Sequence, residues 1–202
     1  MWHIAPKQRN PDMNPTAALV RTFAIAVAFL VVAPGAADAN RPPSSADAVL
    51  AAVPEATWIV EGQGRRVVYV FFDPNCPSCH LLYGNLRTFI ASHDLQLRWI
   101  PVAVVNAISL GKAAAILEAP DPRAALRRNE EAYDTQRHAG GIEEQLPSVE
   151  TEQRLRANER LLNRLDIPVV PSMLFAAKDG HAVLIQGALS PLALRKVFAH
   201  LP

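Results

Sequence analysis

Two apolar rhythms alternate along this chain. Val67 to Phe72 (VVYVFF) is β-branched and aromatic without a polar break, the pattern of a central strand covered on both faces. Trp58-Ile59-Val60 predicts a shorter strand, ended by Glu61-Gly62-Gln63-Gly64. Leu97 to Val105 predicts another interior strand, in which Pro101 implies a bulge or a missing ladder bond. From Pro77 to about His93 the spacing turns helical, with Leu81, Leu82, Leu86, Phe89 and Ile90 recurring every three or four residues.

The region from Ser109 to Leu165 is mostly helical. Ser109 is expected to cap a short helix through Leu117. Asp121-Pro122 reads as an N-cap followed by proline at the first helical position, opening a helix to about His138 that Gly140-Gly141 stops. A further helix begins at Thr151 and carries Leu155, Leu161, Leu162 and Leu165. Val169 to Ala177, a turn at Lys178-Asp179-Gly180 and Ala182 to Gln186 form a hairpin, and a last helix runs from Pro191 to His200. The order is β, β, α, β, a helical block, then β, β, α. Parallel strands need crossover helices whereas the final pair can be antiparallel, so the fold class is α/β with a central mixed sheet flanked by helices.

The first 39 residues read differently. Phe23 to Ala33 is an apolar run of eleven residues preceded by Arg21 and followed by Ala37-Asp38-Ala39, the order of a secretory signal peptide and its cleavage site. Retained as a helix, that run would cover only about 16 Å of a roughly 30 Å hydrocarbon layer, so a membrane anchor is the weaker reading. Met13 offers an alternative start. Residues 40–56 then form a short N-terminal arm or linker with a turn of helix near Asp47 to Ala52, and 57–202 form the main domain. Removing 39 of the 202 residues leaves 163, carrying 17 basic and 17 acidic side chains. That balance argues against nucleic acid or anionic lipid as partner.

The chain holds two cysteines, Cys76 and Cys79. Export permits disulfides, but a bridge across two residues closes a loop too small to staple a fold, so the value of the pair is chemical. It lies where the VVYVFF strand gives way to a helix, with Pro77 suited to the first helical position. A thiolate at Cys76 would meet unpaired N–H groups and the positive helix end, which lowers its pKa. Cys79, one turn on, is placed to resolve a mixed disulfide formed at an exposed Cys76. Pro77 and Ser78, lying between the thiols, are expected to influence the redox balance.

Cys76, Cys79 and His80 also spell the attachment pattern of c-type haem, with Met173 as a second axial ligand, and they supply three metal-ligand types. A buried strand before the motif and the absence of a second ligand pair weigh against haem and zinc carriage. Asp73 is either a proton relay to Cys79 or a turn acid exposed to solvent. His80 is either a tuner of charge at the thiols or a solvated helix histidine. Arg127-Arg128 and Glu130-Glu131 read as a charge-laced helix face. Val170-Pro171, before Ser172-Met173-Leu174-Phe175, suits a cis peptide that exposes the Val170 backbone to an extended substrate, with Pro168 as the competing turn proline.

From Trp58 to the C-terminus the chain resembles the catalytic domain of the periplasmic thiol:disulfide interchange proteins of the DsbC/DsbG type, nearer the DsbG branch. The resemblance rests on YVFFDPNCPSCH at Tyr69 to His80, IPVAVVNAISLGKAAAIL at Ile100 to Leu117, the helical block and VPSMLF at Val170 to Phe175. It implies a thioredoxin-like fold with a helical insertion, at about 109–165, before the cis-proline strand. It implies Cys76 as nucleophile, Cys79 as resolving cysteine, Pro171 as a cis-proline facing them, and Met173 in the core. It further implies no cofactor, cysteine-containing exported proteins as substrates, and a membrane redox partner. Two departures stand out. Residues 40–56 are too few for the family's dimerisation domain, so a monomer is expected rather than a V-shaped dimer. Val170 stands where threonine is usual, which leaves oxidase, reductase and sulfenic-acid reductase directions open. A redox-regulated chaperone is the alternative from another class.

Overall fold

The computed structural model describes residues 43–199 and 201; the expected signal peptide and cleavage site lie outside them. Five strands form one mixed sheet in the order β1-β3-β2-β4-β5. β1 is Ile59–Glu61, β2 Arg66–Phe72, β3 Leu95–Pro101, β4 Ser172–Ala176 and β5 Ala182–Gln186. β2 and β3 run parallel, and the other three pairings are antiparallel. The parallel pair is bridged by α2, Pro77–Arg87, while β4 and β5 form the expected hairpin.

The central position of β2 explains its unbroken apolar run. Val68, Val70 and Phe72 face one layer with Trp99, Met173 and Phe175, where α2, α3 (Ser109–Leu117), α4 (Pro122–Glu131) and α6 (Pro191–Phe198) cover them. Tyr69 and Phe71 face the other layer with Ile100 and Leu174, against α1 (Ser45–Ala52) and the end of α5 (Val149–Leu162). Side chains alternate across a strand, so a strand buried on both sides is apolar at every position.

Several boundaries differ from expectation, each for a local reason. The expected arm is, from Ser45, a helix that belongs to the domain: Ser44 and Asp47 cap it reciprocally, and Val49 and Val53 are fully buried against the second layer. Asp47 also accepts the Ala182 N–H at 2.7 Å, which ties α1 to β5. Pro101 makes no bulge but ends β3; Val102 N–H continues the ladder to Phe72, and Asn158 takes the Pro101 carbonyl at 2.9 Å. Ser109 is the first residue of α3 rather than its cap, and its hydroxyl is used elsewhere. α5 starts at Val149, two residues earlier than expected, because Ser148 caps it. α4 stops at Glu131 rather than near His138. The chain then folds back through a bridge between Asp134 and Ala139, so that Gly140 lies against Asn129 of α4. A Cβ on Gly140 would sit 2.0 Å from Asn129 Oδ1.

Candidate active site

The C-terminal ends of β2 and β3 and the start of β4 meet at one end of the sheet. Two of the loops leaving that end carry the predicted chemistry. Cys76 is the N-cap of α2, with its Sγ accepting the Cys79 N–H at 3.3 Å, and Pro77 occupies the first helical position. Ser78 completes the turn between the thiols. The Val170-Pro171 peptide is cis, and the Val170 carbonyl lies 3.8 Å from Cys76 Sγ. Cys76, Cys79 and Val170-Pro171, 94 positions apart in sequence between Cys76 and Val170, are thus brought together. Pro168 is not part of the cis bond.

The two thiols are unequal. A hydrogen bond from the Cys79 thiol holds Cys76 below the ordinary thiol range, helped by the N–H groups of Cys79 and Ser78 and opposed by burial and the Asp73 charge. Burial first, then the Cys76 interaction, pushes Cys79 well above that range. Both are unbonded cysteines. Cys76 is less open than the spacing predicts: it retains 6% of its surface against 1% for Cys79, because the loop before it and the Val170 carbonyl crowd the sulfur.

Asp73 is fully buried, contrary to a turn acid exposed to solvent. Its Oδ2 accepts the N–H groups of Val104 and Val105 at 2.7 and 2.9 Å, and its Oδ1 accepts Asn75 N–H at 2.9 Å and the Ser109 hydroxyl at 2.8 Å. With every strong acceptor direction engaged, Asp73 locks the loop after β3 to the one carrying the thiols. Asn75, also fully buried, extends the lock: its side chain donates to Asn106 and Ser109, and its Oδ1 accepts the Gly140 N–H at 3.1 Å.

The His80 side chain engages Glu130 and Tyr133. Its Nδ1 shares a hydrogen with Glu130 Oε2 at 3.3 Å, and its ring stacks on Tyr133 with centroids 4.4 Å apart. Tyr133 donates its hydroxyl to the Asn75 carbonyl at 2.9 Å. Glu130 corrects the reading of a solvated charge-laced face: it is only 3% exposed, and burial raises its carboxyl to about 8, with the Cys76 and Glu61 charges adding to the rise. Burial lowers His80 below the ordinary imidazole value. A second buried acid, Glu61 on β1, accepts from Tyr83 at 3.1 Å and Trp99 at 3.0 Å and is likewise raised by burial. Neither glutamate carried a sequence signal beyond its position: Glu130 falls on the Ala125-Leu126 face of α4, one turn on, which a helical projection would have placed inward.

Met173 is buried in the sheet, 1% exposed, in the core layer that also holds Phe175 and Trp99. Among the described residues, no cluster of three or more His, Cys, Asp or Glu side chains is arranged to hold a metal ion, and no helix is long and apolar enough to cross a membrane.

Comparisons with known proteins bear on the family and the fold. The family model for the thioredoxin-like domain matches residues 53–202. The thiol:disulfide interchange protein DsbG of Pseudomonas aeruginosa is 31% identical over 147 residues, covering 71% of this chain and 56% of that protein. DsbG of Escherichia coli is 32% identical over 130 residues, covering 62% and 50%. The chain therefore spans about half the length of these curated relatives. In structure it is similar to the catalytic domain of Proteus mirabilis ScsC, with a TM-score of 0.60 at 19% identity over 76% of this chain and 96% of that one, a likeness of fold.

Proposed function

This chain belongs to the thioredoxin-like domain family, among relatives of the periplasmic thiol:disulfide interchange proteins, and from that premise we propose that it exchanges disulfides with cysteine-containing exported proteins in the periplasm. Cys76 attacks and Cys79 resolves. The observation that carries this reading is the asymmetry of the pair: Cys76 caps a helix and is held toward its thiolate, Cys79 is buried and held protonated, and the Val170 carbonyl beside the cis-proline lies 3.8 Å from the attacking sulfur. An extended substrate pairing with the Val170 backbone would present its sulfur to Cys76. The exchange itself needs neither metal nor organic cofactor, because both electrons move between sulfurs.

Turnover of an insulin-like disulfide substrate tests the reading. Cys76→Ser is expected to abolish it, and Cys79→Ser to accumulate mixed disulfides visible on non-reducing gels. Full activity in the Cys76→Ser protein overturns it. The direction of net electron flow belongs to the reduction potential of the pair, where a value near −120 mV marks an oxidant and one near −270 mV a reductant on the scale of known thiol proteins. Recycling takes a redox partner, proposed to be a membrane protein, and the proposed working state is a monomer. Kinship with the DsbG branch in particular is part of this proposal, supported by the identities of 31% over 147 residues and 32% over 130.

One observation favours a second reading, a chaperone whose cysteines regulate binding. Val104, Val105 and Val169 are 48%, 43% and 41% exposed on the loops that flank the thiols. Suppression of aggregation that is unchanged when both cysteines are replaced would favour it.

A further inference from the structure

The attacking cysteine is held by the residues ahead of it as well as by the helix behind it. Cys76 N–H donates to the Asp73 carbonyl at 3.0 Å, and the carbonyl of the same peptide plane, that of Asn75, accepts the Tyr133 hydroxyl at 2.9 Å. One plane earlier, Asn75 N–H donates to Asp73 Oδ1 at 2.9 Å and the Pro74 carbonyl accepts Asn129 Nδ2 at 3.1 Å. Both peptide planes leading into Cys76 are therefore fixed at both ends. A peptide plane is rigid, so two pinned planes leave the chain little rotation before the sulfur.

On each plane one end is held by Asp73 and the other by a side chain from α4 or the turn after it. Asn129 lies on α4, and Tyr133 is two residues past its end. From the same turn Gly140 N–H donates to Asn75 Oδ1 at 3.1 Å, while Lys112 of α3 donates to the Gly140 carbonyl. The orientation of the Asn129 amide serves the loop. Asn129 is fully buried, and its Oδ1 meets no donor among the described residues. Turning the amide over would set that oxygen against the Pro74 carbonyl, also an acceptor, so the unmet atom is the lesser cost.

The two contacts secure the place of the sulfur. Cys76 is extended at the N-cap of α2, with φ −81° and ψ 118°, its Sγ accepts Cys79 N–H at 3.3 Å, and both cysteines are free. That N–H favours a thiolate over a sulfur tied into a disulfide, because a hydrogen bond strengthens with charge on its acceptor.

We propose that Tyr133 and Asn129 are positioning residues for the exchange reaction, holding Cys76 where the start of α2 receives its sulfur and thereby setting the balance between dithiol and disulfide. The proposal rests on the exchange reading above. In equilibrium with glutathione, the Cys76 thiolate and Cys79 thiol form one S–S bond as the S–S bond of oxidised glutathione breaks. Glutathione takes the two electrons and the Cys79 proton, leaving as one thiol and one thiolate, and water protonates the latter at neutral pH. A weaker hold on the Cys76 thiolate raises its free energy against both its thiol and the disulfide, so both equilibria move by one factor while Cys76 stays ionised.

The test measures two quantities in the full chain: Cys76 ionisation, from the ultraviolet absorbance of the thiolate against pH, and the equilibrium with glutathione at neutral pH. Tyr133→Phe keeps the ring that stacks on His80 and removes only the hydroxyl, which burial raises to about 12 and which therefore stays a donor throughout. Asp73 and Cys79, which act on Cys76, and Glu130, which responds to its charge, are untouched by that substitution. It is expected to weaken Cys76 ionisation about 2- to 10-fold, the worth of one hydrogen bond. The glutathione equilibrium is expected to move toward the protein disulfide by the same factor, about 9 to 30 mV more reducing. Asn129→Ala, which releases the other plane, is expected to move both values in the same sense. Ser44→Ala, at the distant cap of α1, is expected to lower stability and move neither, which separates positioning from general loosening. Unchanged values in Tyr133→Phe, or an equal shift in Ser44→Ala, overturn the positioning role and leave disulfide exchange standing. An unsubstituted protein that exchanges no disulfide with glutathione overturns both.

Discussion

At Asp73 a single carboxylate replaces what would otherwise be four unmet donors, two of them consecutive backbone N–H groups of a loop with no regular structure. Hydrogen bonds to a charged acceptor contribute about 1.5–3 kcal/mol each, so Asp73→Ala is expected to cost at least about 3 kcal/mol in urea unfolding. Asp73→Asn should cost less, since it keeps one acceptor. The cysteine asymmetry gives a prediction at the same scale. With Cys76 lowered and Cys79 raised, brief alkylation at pH 7 should label Cys76 and spare Cys79, as read by peptide mass spectrometry. Equal labelling would contradict the environments described. Sequence reasoning located both thiols from the junction of an apolar strand with Pro77, a purely local signal. It had no means of weighing Asp73, because Val104, Val105 and Ser109 reach it from more than thirty residues away.

Among the elements, α1 and the turn after α4 depart most from what the sequence rhythm implied. α1 has eight residues and a modest apolar face, too short to be stable alone. Its helicity is secured by Ser44 and Asp47 at one end and by Val49 and Val53 packing on the sheet. Ser44→Ala is expected to cost about 1 kcal/mol, the usual worth of an N-cap. Val49→Ala should cost about 2 kcal/mol for two buried methyl groups and the cavity they leave. A linker would register neither change, so denaturant midpoints separate the two descriptions. At the turn, Gly140 is required by contact rather than by helix termination. Gly140→Ala forces a Cβ into the Asn129 amide and should cost about 1–3 kcal/mol. The Gly140-Gly141 pair was legible as a breaker, but its partner was not: contact with α4 depends on the backbone reversing at Asp134 to Ala139, which carries no periodic signal. The sheet strands were read within two residues or so, except where the β3 and β4 runs were drawn long because their apolar residues continue into the loops beside the thiols.

For the molecule as a whole, opposed carboxyl shifts shape the dependence of stability on pH. Glu130 is raised from 4.5 to about 8, so the folded state binds its proton more tightly than the unfolded chain does. Its contribution is intact below the unfolded value and is lost as pH rises from about 4.5 through 8; Glu61 acts in the same sense. Asp47 is lowered from 3.8 to about 2, chiefly by the Ala182 N–H, and Glu118 from 4.5 to about 2, chiefly by the Ser148 N–H. Their contributions are present above the ordinary carboxylate range and vanish as pH falls toward 2. The urea midpoint should therefore decline on both sides of mildly acid pH, and Glu130→Gln should flatten the alkaline decline while leaving the acid one. An alkaline limb identical in that variant would show that Glu130 is not the group titrating.

Cys76 and the Val170 carbonyl that confronts it are 94 positions apart, with α3, α4 and α5 between them. A chain is made from its N-terminus. The thiol pair therefore emerges, and α2 can begin to form, while the strand that supplies its opposite wall is still unmade. During that interval Cys76 meets any passing oxidant or neighbouring sulfur without the backbone that later orients its partners. The backbone wall opposite the thiol arrives only with β4, which pairs with β2.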